Sequence, residues 1–203
     1  MNLAACTALP RTPENKIWFR LLDPLHLNAA LSSSHTKLTE TRFNAGPVLP
    51  PPDRFALLYF AEDPVTAQFE ARTVFGSPVS GFYVANPSSG YLTLNVKIVL
   101  KHVADLTDVA TAQTPLGTTA QELTGDWEGY QVRRPSHSVS QPTGLAPTQE
   151  LGQAMFRTGA EGFRTISAKD PRRQNLIVFP DNLRPGSSLS FADSTGKILH
   201  HIP

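Results

Sequence analysis

The sequence predicts one mixed α+β domain in which a bent sheet is flanked by helices. Three observations predict it. The chain has 203 residues, enough for one full hydrophobic core and within the usual size of a single domain. Strand-like and helix-like segments are interspersed without the regular strand-helix-strand alternation of a parallel sheet. Apolar residues make up 40% and charged residues 17%, so the 18 prolines belong to ordered loops of a globular protein rather than to a disordered chain. No internal repeat is present.

"KIWFRLLD" (16–23) has the apolar and aromatic density of a first strand, stopped by Asp23-Pro24, and it places Arg20 inside strand-like sequence. "RFNAGPVLPPPDRF" (42–55) carries four prolines and a glycine, which block both helix and sheet ladder, so it predicts a loop leading into the strand "FALLYFA". Asp63 is suited to cap a helix and Pro64 to start one, predicting a helix over 64–75 closed by Gly76. On that helix Val65, Phe69 and Thr73 share a face, and Glu70 borders it. An unpaired carboxylate on a packed face costs several kcal/mol by order of magnitude, so Glu70 either faces water or has a task.

"SGFYVA" (80–85) and "YLTLNVKIVL" (91–100) read as strands, the second alternating Leu94, Val96, Ile98 and Leu100 against Asn95, Lys97 and Val99. "TPLGTTAQELT" predicts a short helix. "RRPSHSVSQPTG" (133–144), with Arg133, Arg134 and His137, is polar and rich in breakers and predicts a solvated loop. "APTQELGQAMFRTG" resumes helical spacing through Leu151, Ala154 and Met155 and closes on Gly159. Four short strands follow: "GFRTIS", "NLIVF", "SLSFAD" and "KILHHI".

Eighteen basic against seventeen acidic residues leave a formal net charge of +1, too small for the broad positive field that phosphate backbones require, so direct nucleic-acid binding is not expected. Cys6 is the single cysteine, which fits a reducing compartment and makes the cytoplasm the expected location. The start "MNLAACTALPRTPENK" has no basic residue ahead of its short apolar run, so a secretory signal is not expected. No run approaches the roughly eighteen apolar residues of a membrane span.

The common chemical motifs are missing. There is no G-x-G-x-x-G after a strand, no G-x-x-x-x-G-K-[ST] and no G-x-S-x-G. The six histidines show no H-E-x-x-H or paired ligand spacing, so no metal site is expected. What remains is a set of polar residues beside strand ends: Arg20 in "IWFRL", Arg42 and Asn44 in "TRFN", Tyr59 in "LLYFAED", Glu70 in "AQFEA" and Ser167 in "TISAKDPRRQNLIVFP".

Taken in order, these pieces resemble the RES domain family over about residues 17–183 of a single domain spanning 1–203. "RFN" before a proline-rich loop resembles the family's arginine motif. "LYFAEDPVTAQFE", with Tyr59 and Glu70 eleven residues apart, resembles its tyrosine strand and glutamate helix. "GDWEGYQ" resembles a tryptophan segment, and "ISAKDPRRQNLIVFP" the serine strand, with Pro171, Asn175 and Pro180 in place. Two features depart from the pattern: Glu40 and Thr41 stand where glycines are common, and "GPVLPPPDR" lengthens the path from Arg42 to Tyr59.

The resemblance implies an ADP-ribosyltransferase-like fold and an enzyme that degrades NAD+ by splitting the nicotinamide-ribose bond, with water or inorganic phosphate as acceptor. It implies no cofactor, NAD+ being substrate, and it implies the toxin half of a toxin-antitoxin pair with a helix-turn-helix antitoxin of Xre type. On this reading Glu70, Arg42 and Ser167 are catalytic and Arg20, Tyr59 and Asn44 bind substrate. Two alternatives are transfer of ADP-ribose to a protein side chain and a non-catalytic domain that binds a nucleotide or a partner. The residues taken singly also have plainer readings: Glu70 as a solvated helix carboxylate, Arg20 as an edge residue paired with Asp23 or Glu14, Arg42 as a loop charge, Tyr59 as packing and Ser167 as a turn residue.

Overall fold

A computed structural model of the chain describes residues 1–86, 90–130, 144–193 and 195–203. The polar loop expected at 133–144, apart from Gly144, lies outside the described residues. The fold is a mixed α+β domain, and the bending of its main sheet is its organising feature. Strand β1 (Arg11–Leu22) runs antiparallel to β5 (Leu92–Asp105) along almost its whole length. It begins earlier than the sequence suggests because Pro13 falls in a bulge between Thr12 and Glu14, where a missing N–H breaks no ladder bond. On its other side β1 meets β2 (Leu58–Ala61) through Phe19 and Ala61. From there β2 pairs with β7 (Gln174–Val178), β7 with β6 (Gly162–Ile166), and β6 runs parallel to the end of β5. The order β1-β2-β7-β6-β5 therefore returns to β1 and closes a ring of strands. β8 (Ser188–Ala192) and β9 (Ile198–Ile202) extend the sheet from the middle of β5.

Alternation along these strands separates two cores. Leu58 and Phe60 of β2, with Trp18, Leu94, Val96, Ile98, Leu100, Leu176 and Val178, form one cluster. Leu57, Phe163, Ile177 and Phe179 point the other way and pack with Phe43, Phe55, Leu151 and Met155. Burying each large apolar side chain contributes about 1.5–3 kcal/mol. The second core seats α4 (Pro147–Arg157), which begins with Pro147 at its first position and Gln149 Oε1 accepting from the Ala146 N–H at 3.1 Å, and is followed by Gly159 at φ 71°.

Helix α1 (Pro64–Glu70) starts as the sequence predicts: Asp63 Oδ1 accepts from the N–H groups of Val65 and Thr66 at 2.9 and 3.0 Å. It ends earlier than the expected 64–75. Arg72, at φ 56°, takes the left-handed conformation that closes the helix, and the Thr73 N–H reaches back to the Gln68 carbonyl at 3.0 Å. Gly76 serves the separate hairpin of β3 (Val74–Ser77) and β4 (Phe82–Ala85), where a Cβ would stand 2.2 Å from the Phe82 carbonyl oxygen. "TPLGTTAQELT" also divides: a π turn (Val109–Gln113) runs into α2 (Thr114–Leu116), Gly117 at φ 60° stops it, and α3 (Ala120–Thr124) follows.

Glu161, fully buried just before β6, ties three chain segments together. Its Oε2 accepts from the Lys101 and His102 N–H groups at 2.6 and 2.7 Å, and its Oε1 from the Arg184 N–H at 2.8 Å. Burial alone raises a carboxyl pKa, but hydrogen bonds to the ionised form outweigh it and hold this one below the ordinary 4.5. Its stabilising contribution is therefore complete above the unfolded-state value and is lost as pH falls through the lower folded-state value. Glu161→Ala is expected to cost on the order of 3 kcal/mol at neutral pH by leaving buried N–H groups without acceptors, and to flatten acid unfolding below about pH 4.5. Urea midpoints at neutral and acidic pH check both.

Candidate active site

A cleft of about 450 Å³ opens where β1 and β2, α1, the loop after Thr41 and the segment Asp126–Glu128 meet. Arg20, Arg42, Tyr59 and Glu70 line it. Glu70 sits there because α1 ends on it: the Arg72 turn stops the helix at the residue that faces the cleft. Two donors hold its carboxylate. Ser167 Oγ donates to Glu70 Oε1 at 2.6 Å, and Asn175 Nδ2 donates to the same oxygen at 2.7 Å. Ser167 itself is completely buried, and its Oγ accepts from the Lys169 and Asp170 N–H groups, both at 3.1 Å. It is thus a turn residue and a partner of Glu70 at once. Glu70 is not a solvated helix carboxylate.

Arg20 does not pair with Asp23 or Glu14. It lies two residues from Trp18 on the same face of β1, with its guanidinium carbon 5.9 Å from the centre of the Phe60 ring. Its Nε is buried without a hydrogen-bond partner among the described residues. Burial pushes its pKa down to about 10, so it stays cationic at neutral pH. A desolvated guanidinium with unused donor capacity facing a cleft has the chemistry of an anion ligand. His35, also on the cleft wall, is held below its ordinary pKa by burial and then by the nearby Arg20 and His26 charges.

Arg42 Nη1 donates to the Gly125 carbonyl, tying the arginine loop to the Asp126–Glu128 segment. Across the cleft mouth Arg72 Nη2 pairs with Glu128 Oε1 at 2.5 Å. Tyr59 gives its ring to the cleft and its hydroxyl to the loop: the OH donates to Thr41 Oγ1 at 2.9 Å and accepts from the Phe43 N–H at 3.0 Å. Burial pushes its pKa up to about 12, against its hydrogen bonds with Thr41 and Phe43, so it stays a neutral phenol. Thr41, at a position where the family pattern favours glycine, thereby acquires a specific job. Tyr59→Phe is expected to cost about 1–3 kcal/mol by stranding the Phe43 N–H, a loss readable in a urea melt.

Asn44, expected to bind substrate, is not among the residues that line the cleft. It is fully buried, Nδ2 donating to the Thr36 and Phe55 carbonyls at 2.8 and 3.2 Å and Oδ1 accepting from the Gly46 N–H at 2.9 Å. Both amide protons and the amide oxygen go into holding the arginine loop in shape. The same loop explains a glycine inside α4. A Cβ on Gly152 would lie 1.9 Å from the Phe43 carbonyl oxygen, so the helix and the loop meet backbone to backbone one residue from Arg42. Gly152→Ala is expected to lose about 1–3 kcal/mol despite the better helix propensity of alanine, measured by thermal unfolding, because the loop must move outward.

Several residues of the cleft were given no site role by the sequence. Asn175, Trp127 and Arg72 belong to it, Trp127 through the "GDWEGYQ" segment and Asn175 through the serine strand. Arg72 had no sequence signal, since a non-glycine residue at a left-handed helix end is not readable from its type. Among the described residues no group of three or more His, Cys, Asp or Glu side chains is placed to hold a metal ion, and no helix is long and apolar enough to cross a membrane.

The family model described as RES domain matches residues 17–195, most of the chain. The chain belongs to the RES domain family. No curated protein matches it. Among solved structures, the RES chain is similar to one in the crystal structure of the M. tuberculosis MbcT-MbcA toxin-antitoxin complex, with a TM-score of 0.64 at 18% identity over 94% of this chain and 88% of that chain. At that identity the likeness shows a shared fold. The stretch of this RES domain from β1 to the end of β8 carries every cleft residue discussed above.

Proposed function

We propose that this RES domain is an enzyme that degrades NAD+ by cleaving its nicotinamide-ribose bond. The observation that carries the reading is a carboxylate, Glu70, held by two donors at the wall of a cleft that also presents the guanidinium groups of Arg20 and Arg42. Nicotinamide leaves NAD+ as a neutral base, so the reaction needs no general acid. Its barrier is the positive charge that grows on the ribose as it becomes oxocarbenium-like. A fixed carboxylate beside that carbon stabilises the charge as it forms. The pyrophosphate calls for cationic forks, and without a glycine-rich phosphate cradle in the sequence, Arg20 and Arg42 are the groups suited to it. The Tyr59 ring offers a flat apolar wall to nicotinamide or ribose.

Water or inorganic phosphate then takes the ribose carbon. The test is purified protein with NAD+, with and without phosphate, and the products resolved by mass. Free nicotinamide with ADP-ribose or its phosphorylated form is the expected result; intact NAD+ in both mixtures overturns the reading, and ADP-ribose carried on a protein side chain turns it into a transferase.

An enzyme that empties the cell of NAD+ needs restraint, and the MbcT-MbcA structure is that of a toxin-antitoxin complex. We therefore assign this chain the toxin role in the cytoplasm, with an antitoxin of helix-turn-helix, Xre type covering the cleft. Co-expression with the neighbouring gene is expected to yield a stable complex with suppressed NAD+ loss.

A further inference from the structure

Asn175 lies on β7, where its backbone is opposite Ala61 on one neighbour and Thr165 on the other. The residue is 8% exposed, and its side chain reaches Glu70, 105 positions earlier in the chain, at 2.7 Å. The amide orientation follows from chemistry: turned over, its oxygen would face a carboxylate oxygen at that distance, two acceptors with no proton between them. With Nδ2 committed to Glu70, Oδ1 is left buried and without a partner among the described residues. A buried acceptor without a partner costs about 1–3 kcal/mol. The arrangement gives up that stability for one contact, the contact with Glu70.

The second donor completes the picture. Ser167 Oγ accepts two backbone N–H bonds, so its single proton has one remaining direction, toward Glu70 Oε1. Two donors converge on Oε1, and no hydrogen bond to Oε2 occurs among the described residues. We infer that Asn175 is a positioning residue that, together with Ser167, saturates Glu70 Oε1 and turns Oε2 toward the substrate as the working oxygen.

This inference rests on the NAD+-cleavage reading, and two measurements keep the two apart. In the first, Asn175→Ala is expected to lower kcat about tenfold to hundredfold with KM for NAD+ changed less than about twofold, because Asn175 acts on Glu70 and not on substrate. Asn175→Asp puts a second carboxyl against Oε1. The pair then shares one proton at acidic pH, where the protonated Asp imitates the amide donor, and loses it as pH rises. Its kcat is expected to approach wild type near pH 5 and to fall steeply above about pH 7, a profile absent from the wild type. A raised KM with unchanged kcat, a wild-type kcat in Asn175→Ala, or a wild-type pH profile in Asn175→Asp overturns the inference while wild-type turnover leaves the NAD+ reading intact.

The second measurement needs no turnover. Crystal structures of the wild type and of Asn175→Ala are expected to show the Glu70 carboxylate swung away from its wild-type position in the variant, with Asn175→Ser used if the alanine form does not fold. A carboxylate that stays in place overturns the inference, whatever the protein does to NAD+.

Discussion

Glu70→Gln is expected to reduce NAD+ cleavage on the order of a thousandfold or more while leaving thermal stability nearly unchanged. The substitution keeps the side-chain shape. Its carbonyl oxygen still accepts from Ser167 Oγ and Asn175 Nδ2, so the two hydrogen bonds that define the position of Glu70 survive. Only the charge is removed, and the charge is what a growing ribose cation responds to. Nicotinamide release followed by mass, alongside a melt of the same preparation, separates a chemical loss from a folding loss. Turnover within about tenfold of wild type would show that the carboxylate does not face the reacting sugar.

Arg20→Met is expected to raise KM for NAD+ at least about tenfold and, in the same molecule, to leave stability unchanged or increased by up to about 1–4 kcal/mol. The two effects share one cause. The Arg20 guanidinium is desolvated beside Phe60 with Nε unpartnered, and a thioether of similar length packs there without a buried charge. The folded state carries the cost of that charge in exchange for an anion ligand. Since its pKa, lowered by burial, is still about 10, this contribution to KM stays constant from about pH 6 to about pH 9. Kinetics and urea melts on the one variant test both halves. A KM equal to wild type would remove Arg20 from the pyrophosphate site.

Much of this architecture was legible in the residues. The alternation of Leu94, Val96, Ile98 and Leu100 marked the inward face of β5, because a period of two admits no other arrangement on a half-buried strand. Asp63 and Pro64 marked the start of α1 through local hydrogen bonding alone. The end of α1 was hidden, since Arg72 adopts a left-handed backbone conformation that its residue type does not announce. Five of the six candidate site residues are brought to the cleft or, for Ser167, against its carboxylate. Asn44 ties down its own loop and does not line the cleft, and a polar residue beside an arginine motif looks the same in sequence in either place. Asn175, matched in the serine strand, was given no role for the opposite reason: its partner is far along the chain, and nothing local reports the meeting.

The ring of strands has a consequence for how the cleft is held together. β1 is paired along almost its whole length with β5 and at Phe19–Ala61 with β2, so the floor beneath Arg20 is held on both edges. Parting that floor would break ladder hydrogen bonds on one edge or the other. At the rim a bond from Arg42 to Gly125 and an ion pair from Arg72 to Glu128 tie the Gly125–Glu128 stretch to both sides of the cleft.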